Sequence, residues 1–262
     1  VKRVMTATTY YSDELNDEFS KAKIKTKTIS PSYKYLHKGI LYCLSSFFWY
    51  RLIATPLAFL YCKIMFGHKI CGKALLKSYA KSGFFLFGNH TQEIADAFVP
   101  SLLVFPKRAY VIVHPNNVSM PVLGRLTPQL GALPIPDDLS AFRNFTNAVE
   151  KRILQGHVVA IYPEAHIWPY YTKIRPFKAT SFVYPIKFDT PSFCFTNTYQ
   201  KRWTSSKPRL VTYVDGPFYP NPDLSLATQK QDLRDRIYQT MASRSKENNV
   251  KYVKYIKRVN HD

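Results

Sequence analysis

Between residues 84 and 215 the sequence keeps changing its hydrophobic period, and few folds tolerate that pattern. Short apolar runs read as strands: FFLFG (84–88), AYVIV (109–113), GALPI (131–135), HVVAIY (157–162), SFCFTNTYQ (192–200) and RLVTYVD (209–215). Between two of them, residues 140–155 place Phe142, Phe145, Val149, Ile153 and Leu154 at helical spacing, with Ser140 as expected N-cap and Gly156 as the stop. Residues 225–246 read as a last, charged helix followed by a basic tail. Strands alternating with helices predict an α/β domain whose mixed, mostly parallel sheet is covered by helices.

A second feature precedes it. From Gly39 to Phe66 the chain is strongly apolar, as two uncharged stretches, ILYCLSSFFWY and LIATPLAFLYC, on either side of Arg51, with Pro56 inside the second. Each is too short for a bilayer, which needs about 20 residues. Joined, they would hold Arg51 near mid-bilayer at a cost of roughly 2.5–3.5 kcal/mol. The expectation is a membrane-associated helical hairpin lying in one leaflet, with a buried hairpin of a soluble protein as the alternative. Tyr33, Tyr35, Tyr42, Trp49, Tyr50 and Tyr61 suit a headgroup boundary. The chain thus divides into a polar lead-in (1–32), a membrane-associated hairpin (33–70) and an α/β domain with a basic tail (71–262).

Charge points the same way without choosing a partner. Thirty-seven Lys and Arg against 17 Asp and Glu give a net charge of +20. Such a chain is drawn to phospholipid headgroups, nucleic acid or an acidic carrier protein. Lys21, Lys23, Lys25 and Lys27 add to this in the lead-in. Cys43, Cys62, Cys71 and Cys194 form no close pair of the zinc-binding kind, which favours a reduced, cytosolic setting and no metal. The first 34 residues contain no secretory signal, and residue 1 is Val.

The chemistry concentrates in FLFGNHTQEIADAFVP. A buried strand ends at Gly88, Asn89 to Gln92 follow at once, and a helix then carries Asp96. Open α/β sheets place ligand sites just past the carboxyl ends of strands. His90 there can act as a general base, with Asp96 one helical turn on fixing its tautomer; Glu93 is the rival partner. A histidine after a strand can equally be an ordinary turn residue.

NHTQEIAD, followed by YPEAH and then RPFK, resembles the glycerophospholipid (1-acylglycerol-3-phosphate type) acyltransferase family over roughly residues 35–215. The resemblance implies His90 as base oriented by Asp96, and acyl transfer from acyl-CoA or acyl-acyl-carrier protein to a lysophospholipid or glycerol-phosphate hydroxyl, with no further cofactor. It implies oxyanion stabilisation by backbone N–H groups. It also implies membrane lipid as partner, at the cytoplasmic face. The pattern departs in three places. Five residues, not four, separate His90 from Asp96. The family's Gly-Thr-Arg is Ala165, His166 and Ile167 here, and Pro136 stands where a second Arg is expected. Asn89, Glu164, His166, Arg125, Arg175 and Lys178 are the candidate substrate ligands, with Lys173 as a further cation; Glu164 would hold a hydroxyl or a structural Arg.

Two other readings are weaker. GHKICGKA (67–74) approaches a phosphate-binding loop, but Ala74 replaces the hydroxyl residue that holds magnesium. A basic membrane- or nucleic-acid-binding protein with a vestigial site is the alternative to an enzyme. The tail KYVKYIKRVN would serve it, although a basic surface strand or helix explains that segment as well.

Overall fold

The structure, a computed structural model, describes residues 7–19 and 25–258; Lys21, Lys23, Val1 and the last residues of the tail lie outside them. Seven strands form the main sheet: β2 (Lys69–Cys71), β3 (Phe84–Gly88), β4 (Ala109–Val113), β5 (Ala132–Pro134), β6 (Val158–Ile161), β7 (Ser192–Gln200) and β8 (Arg209–Phe218), in the order β2-β8-β7-β3-β6-β4-β5. Among the described residues only the β7–β8 pair of this sheet is antiparallel. The α/β architecture is therefore the expected one, and all six apolar runs are strands.

Strand alternation sorts the core into two layers. Phe85, Phe87, Val159 and Ile161 face the helices Leu139–Leu154 and Leu226–Arg244. Phe84, Leu86, Val158 and Ala160 face the helix Ala95–Val104 and the end of a long N-terminal helix. Asp138, rather than Ser140, caps the Leu139–Leu154 helix by accepting from Ala141 N at 2.9 Å. Gly156, at φ +75°, ends it as expected.

The expected hairpin is replaced by one continuous helix, Ile40–Phe66, 27 residues long and apolar enough to cross a membrane by length and composition. Pro56 does not break it, because a wide π-helical stretch, Phe48–Ala54, precedes the proline. At the end of that stretch Tyr50 O accepts from both the Thr55 backbone N–H and Thr55 Oγ1, the latter at 2.7 Å. Ser46, Tyr50, Thr55, Ala58, Cys62 and Phe66 form its buried stripe. Their one five-residue step falls at the wide turn, so the stripe stays on one side. Most of the remaining surface is bare: Leu41, Leu44, Leu52, Phe59, Leu60 and Ile64 are exposed.

Among the described residues three strands lie outside the six runs read from the sequence: β2 at the edge of the main sheet, and two more beyond that sheet. β1 (Ala7–Tyr11) and β9 (Val253–Lys257) pair in parallel as a separate ribbon joining lead-in and tail. All four cysteines are free thiols.

Candidate active site

The site is built where β3 stops. Gly88 ends the strand against the Phe195 ring; a Cβ there would sit 2.1 Å from a ring carbon, so only glycine fits. The next six residues leave the sheet as a loop that turns into the helix Ala95–Val104. Asp96 lies in the first turn of that helix and folds back over the loop.

Its carboxylate gathers four donors. Oδ2 accepts from His90 Nδ1 at 2.9 Å, Thr91 N at 2.7 Å and Gln92 N at 2.8 Å, while Oδ1 accepts from Asn197 Nδ2 at 3.0 Å. The extra residue between His90 and Asp96 is taken up by the loop before the helix begins. Asp96 is 1% exposed and Glu93 is exposed, so the carboxylate on the imidazole is that of Asp96. Donation from Nδ1–H leaves the Nε2 lone pair as the free basic position. The His90 side chain is 18% exposed, enough for a substrate hydroxyl to reach it. Tyr162 stacks on the imidazole with centroids 4.4 Å apart, and its hydroxyl donates to the Asp96 carbonyl. Tyr199 OH donates to Thr91 and accepts from Gln92 Nε2 at 2.9 Å. Burial and the Asp96 charge push the Tyr199 hydroxyl well above its ordinary range, so it stays a neutral donor.

A second loop, residues 162–171, holds the first from outside. Glu164 Oε2 accepts from His90 N at 3.1 Å, and Trp168 N and Tyr170 N donate to His90 O and Thr91 O, each at 3.0 Å. Glu164 Oε1 accepts from Arg175 N at 3.1 Å, and Arg175 Nε approaches Oε2 at 3.5 Å. Ala165 has φ +63°, a left-handed backbone at the place where the resembled family carries Gly. The segment that follows β1, together with β9, straps this loop down. Trp168 Nε1 donates to Asp17 O at 2.8 Å, Tyr171 OH to Glu14 Oε1 at 2.5 Å, and Tyr255 OH to Pro169 O at 2.9 Å.

The other predicted site residues have varied places. Asn89, Glu164 and Arg175, expected at the acceptor, are buried with protein partners. Asn89 Oδ1 accepts from Asn197 N and its Nδ2 donates to Asn197 O, so the amide extends the sheet. Arg175 is 0% exposed and donates to the Glu164 and His166 carbonyls, which makes it the structural Arg of Glu164. His166 is half-buried, its Nδ1 3.6 Å from Glu18 Oε2. Arg125, Lys173 and Lys178 are exposed, and Lys178 follows Phe177, which packs in the opposite core layer. Lys73 donates to Leu102 O at 3.0 Å and belongs to no phosphate cradle. Asn197 was missed; its signal was a polar Thr-Asn-Thr trio inside an apolar strand, where buried amides need partners.

Beside the loop runs an apolar groove of about 300 Å³, between the long helix (Trp49, Ile53, Leu57, Tyr61) and Ile94, Phe98, Leu126 and Leu130. A larger polar cavity of about 540 Å³ lies between β8 and the C-terminal helix, remote from this chemistry. Its Arg244 and Arg236 are already paired with Asp215 and Asp232. Among the described residues no cluster of three or more His, Cys, Asp or Glu could hold a metal.

No protein-family model matches the chain, and no curated protein matches it in sequence. Among solved structures, it is similar to the 1-acyl-sn-glycerophosphate acyltransferase PlsC from Thermotoga maritima. The TM-score is 0.56 at 14% identity, over 80% of this chain and 89% of that one, a likeness of fold.

Proposed function

We propose that the chain is an acyltransferase acting at a lipid surface, with His90 as the general base. The observation that carries this reading is the His90–Asp96 pair at the end of β3, with Nε2 free and an apolar groove beginning at the neighbouring Ile94. Nε2 takes the proton of an acceptor hydroxyl, and the oxygen attacks the thioester carbonyl of acyl-CoA or acyl-acyl-carrier protein. The C–S bond breaks as the tetrahedral adduct collapses, and the departing thiolate takes the proton back from His90, which returns the base to its neutral form. No acyl-enzyme is formed. The groove takes the acyl chain, and the acceptor is a lysophospholipid or glycerol phosphate. Asn89, Glu164 and Arg175 position the catalytic loop, whereas His166 and Arg125 are the groups left to meet a headgroup. Arg125 adjoins Leu126 on the groove wall.

Lipid contact follows from the long helix. Its outer face exposes a row of large apolar side chains that a bilayer would cover, and the +20 charge favours anionic headgroups. The test is a panel of glycerol-phosphate and lysophospholipid acceptors with labelled acyl-CoA and acyl-acyl-carrier protein, followed by product identification. Acyl ester formation on at least one acceptor is expected; donor hydrolysis alone, or no turnover with any pair, contradicts the reading.

A further inference from the structure

Asp96 is the middle of a longer chain of hydrogen bonds. Asn197 Nδ2, which donates to Asp96 Oδ1, has its own Oδ1 accepting from Thr212 Oγ1 at 2.7 Å. Thr212 Oγ1 in turn lies 2.8 Å from His68 Nε2. Directions follow from the end that accepts only. An ionised carboxylate cannot donate, so Asn197 presents its amide N–H₂ to Asp96 and its carbonyl oxygen to Thr212. The Thr212 proton is thereby committed to Asn197, and His68 Nε2 must donate to the hydroxyl oxygen. Every donor points toward Asp96, an arrangement in which each bond polarises the next.

We propose that Asn197, held in orientation by Thr212 and His68, is a positioning residue for the His90–Asp96 pair. The two ends of the amide are nearly alike in shape, and Asp96 on one side and Thr212 on the other agree on which end each receives. A flipped Asn197 would set a carbonyl oxygen against Asp96 Oδ1. Thr212 prevents this by requiring an acceptor, and His68 prevents Thr212 from turning by supplying a donor. His68 keeps that role while neutral, and burial with Lys63 nearby pushes it down to about 4. The relay also ties the pair to the long helix. Gly67 ends that helix in a left-handed conformation (φ +55°, ψ +38°), His68 follows at once, and β2 then pairs Ile70 with Thr212.

The proposal rests on the acyltransferase reading for its kinetic arm and on geometry alone for its spectroscopic arm. Thr212→Val keeps the shape and removes the hydroxyl, and Thr212→Ser restores it. His68→Leu and His68→Gln do the same at the half-buried end of the relay, where folding is less at risk. Positioned general bases contribute ~10²–10⁴-fold. Thr212→Val is therefore expected to lower kcat about tenfold with KM unchanged, His68→Leu about threefold, and the Ser and Gln variants less than about twofold. In ¹H–¹⁵N spectra of ring-labelled protein, the His90 Nδ1 proton and the His90 titration should move in the Val and Leu variants and return in Ser and Gln. The charged and titratable groups around that ring are Asp96, Tyr162 and Glu164, with Lys63 at the far end of the relay. A folded Thr212→Val or His68→Leu protein with unchanged His90 resonance overturns the proposal, as does a Ser variant that behaves like Val. Absence of acyl transfer in the unaltered protein would instead contradict the proposed function, and the resonances would still decide the relay.

Discussion

The loop 89–96 and the outer face of the long helix are neighbours built on opposite terms. In the loop nearly every polar group has a named partner, and Asp96 alone accepts four donors. On the helix, Leu41, Leu44, Leu60 and Ile64 leave more than half of their surface exposed, and any apolar side chain of similar size would serve. The difference separates what chemistry needs from what a lipid surface needs. A base must be fixed in direction within a fraction of an ångström, whereas partition into a bilayer asks for apolar area without geometry. The two regions should therefore respond differently to substitution.

Asp96→Asn should do the most damage. One end of an asparagine amide donates, so it would oppose at least one of the four donors now satisfied, and His90 would lose its preferred tautomer. Acyl transfer should fall by ~10²-fold or more, read as kcat with a folded control by circular dichroism. On the apolar side Ile53→Trp, which fills the groove, should lower kcat/KM about tenfold for long acyl chains and leave short ones nearly unchanged, since each lost CH₂ contact is worth about 0.8 kcal/mol. Equal loss at every chain length would remove the groove from the account. Leu41→Asp and Leu60→Asp should each weaken binding to anionic vesicles about tenfold while leaving the His90 ring spectrum untouched.

Smaller effects concern stability. His157 is pushed down to about 4 by burial and by Arg152, Arg108 and Lys107. The unfolded chain then binds the proton more readily than the folded one, so His157 stabilises the fold fully above its ordinary value near 6.5. That stability is lost as pH falls from there toward 4. Thermal melts across this window should show the loss, and His157→Gln should remove its share while that of His68, depressed to about 4 as well, remains. Ala165→Gly should relieve the left-handed backbone by about 1 kcal/mol and raise the melting temperature.

Much of this was legible in the sequence because it is local. The apolar runs marked the six strands expected, and the short spacing from Asn89 to Asp96 put an imidazole beside a carboxylate. What stayed hidden depends on partners far along the chain. Asn197 reaches Asp96 from 101 residues away, and β1 pairs with β9 across nearly the whole molecule. Asn89, Glu164 and Arg175 read as ligands because polar residues near a motif look alike, whether they face substrate or hold a loop. The hairpin was expected because a single span would hold Arg51 near mid-bilayer; the chain nonetheless forms one helix, with a wide turn just before Pro56.

The most direct test of the account compares the intact protein with His90→Ala on lysophospholipid vesicles with labelled acyl-CoA and acyl-acyl-carrier protein. The account predicts acceptor-dependent ester formation by the intact protein and its loss by ~10²–10⁴-fold in a His90→Ala protein that keeps its melting temperature and vesicle binding. Ester formation at an unchanged rate in that variant would contradict it.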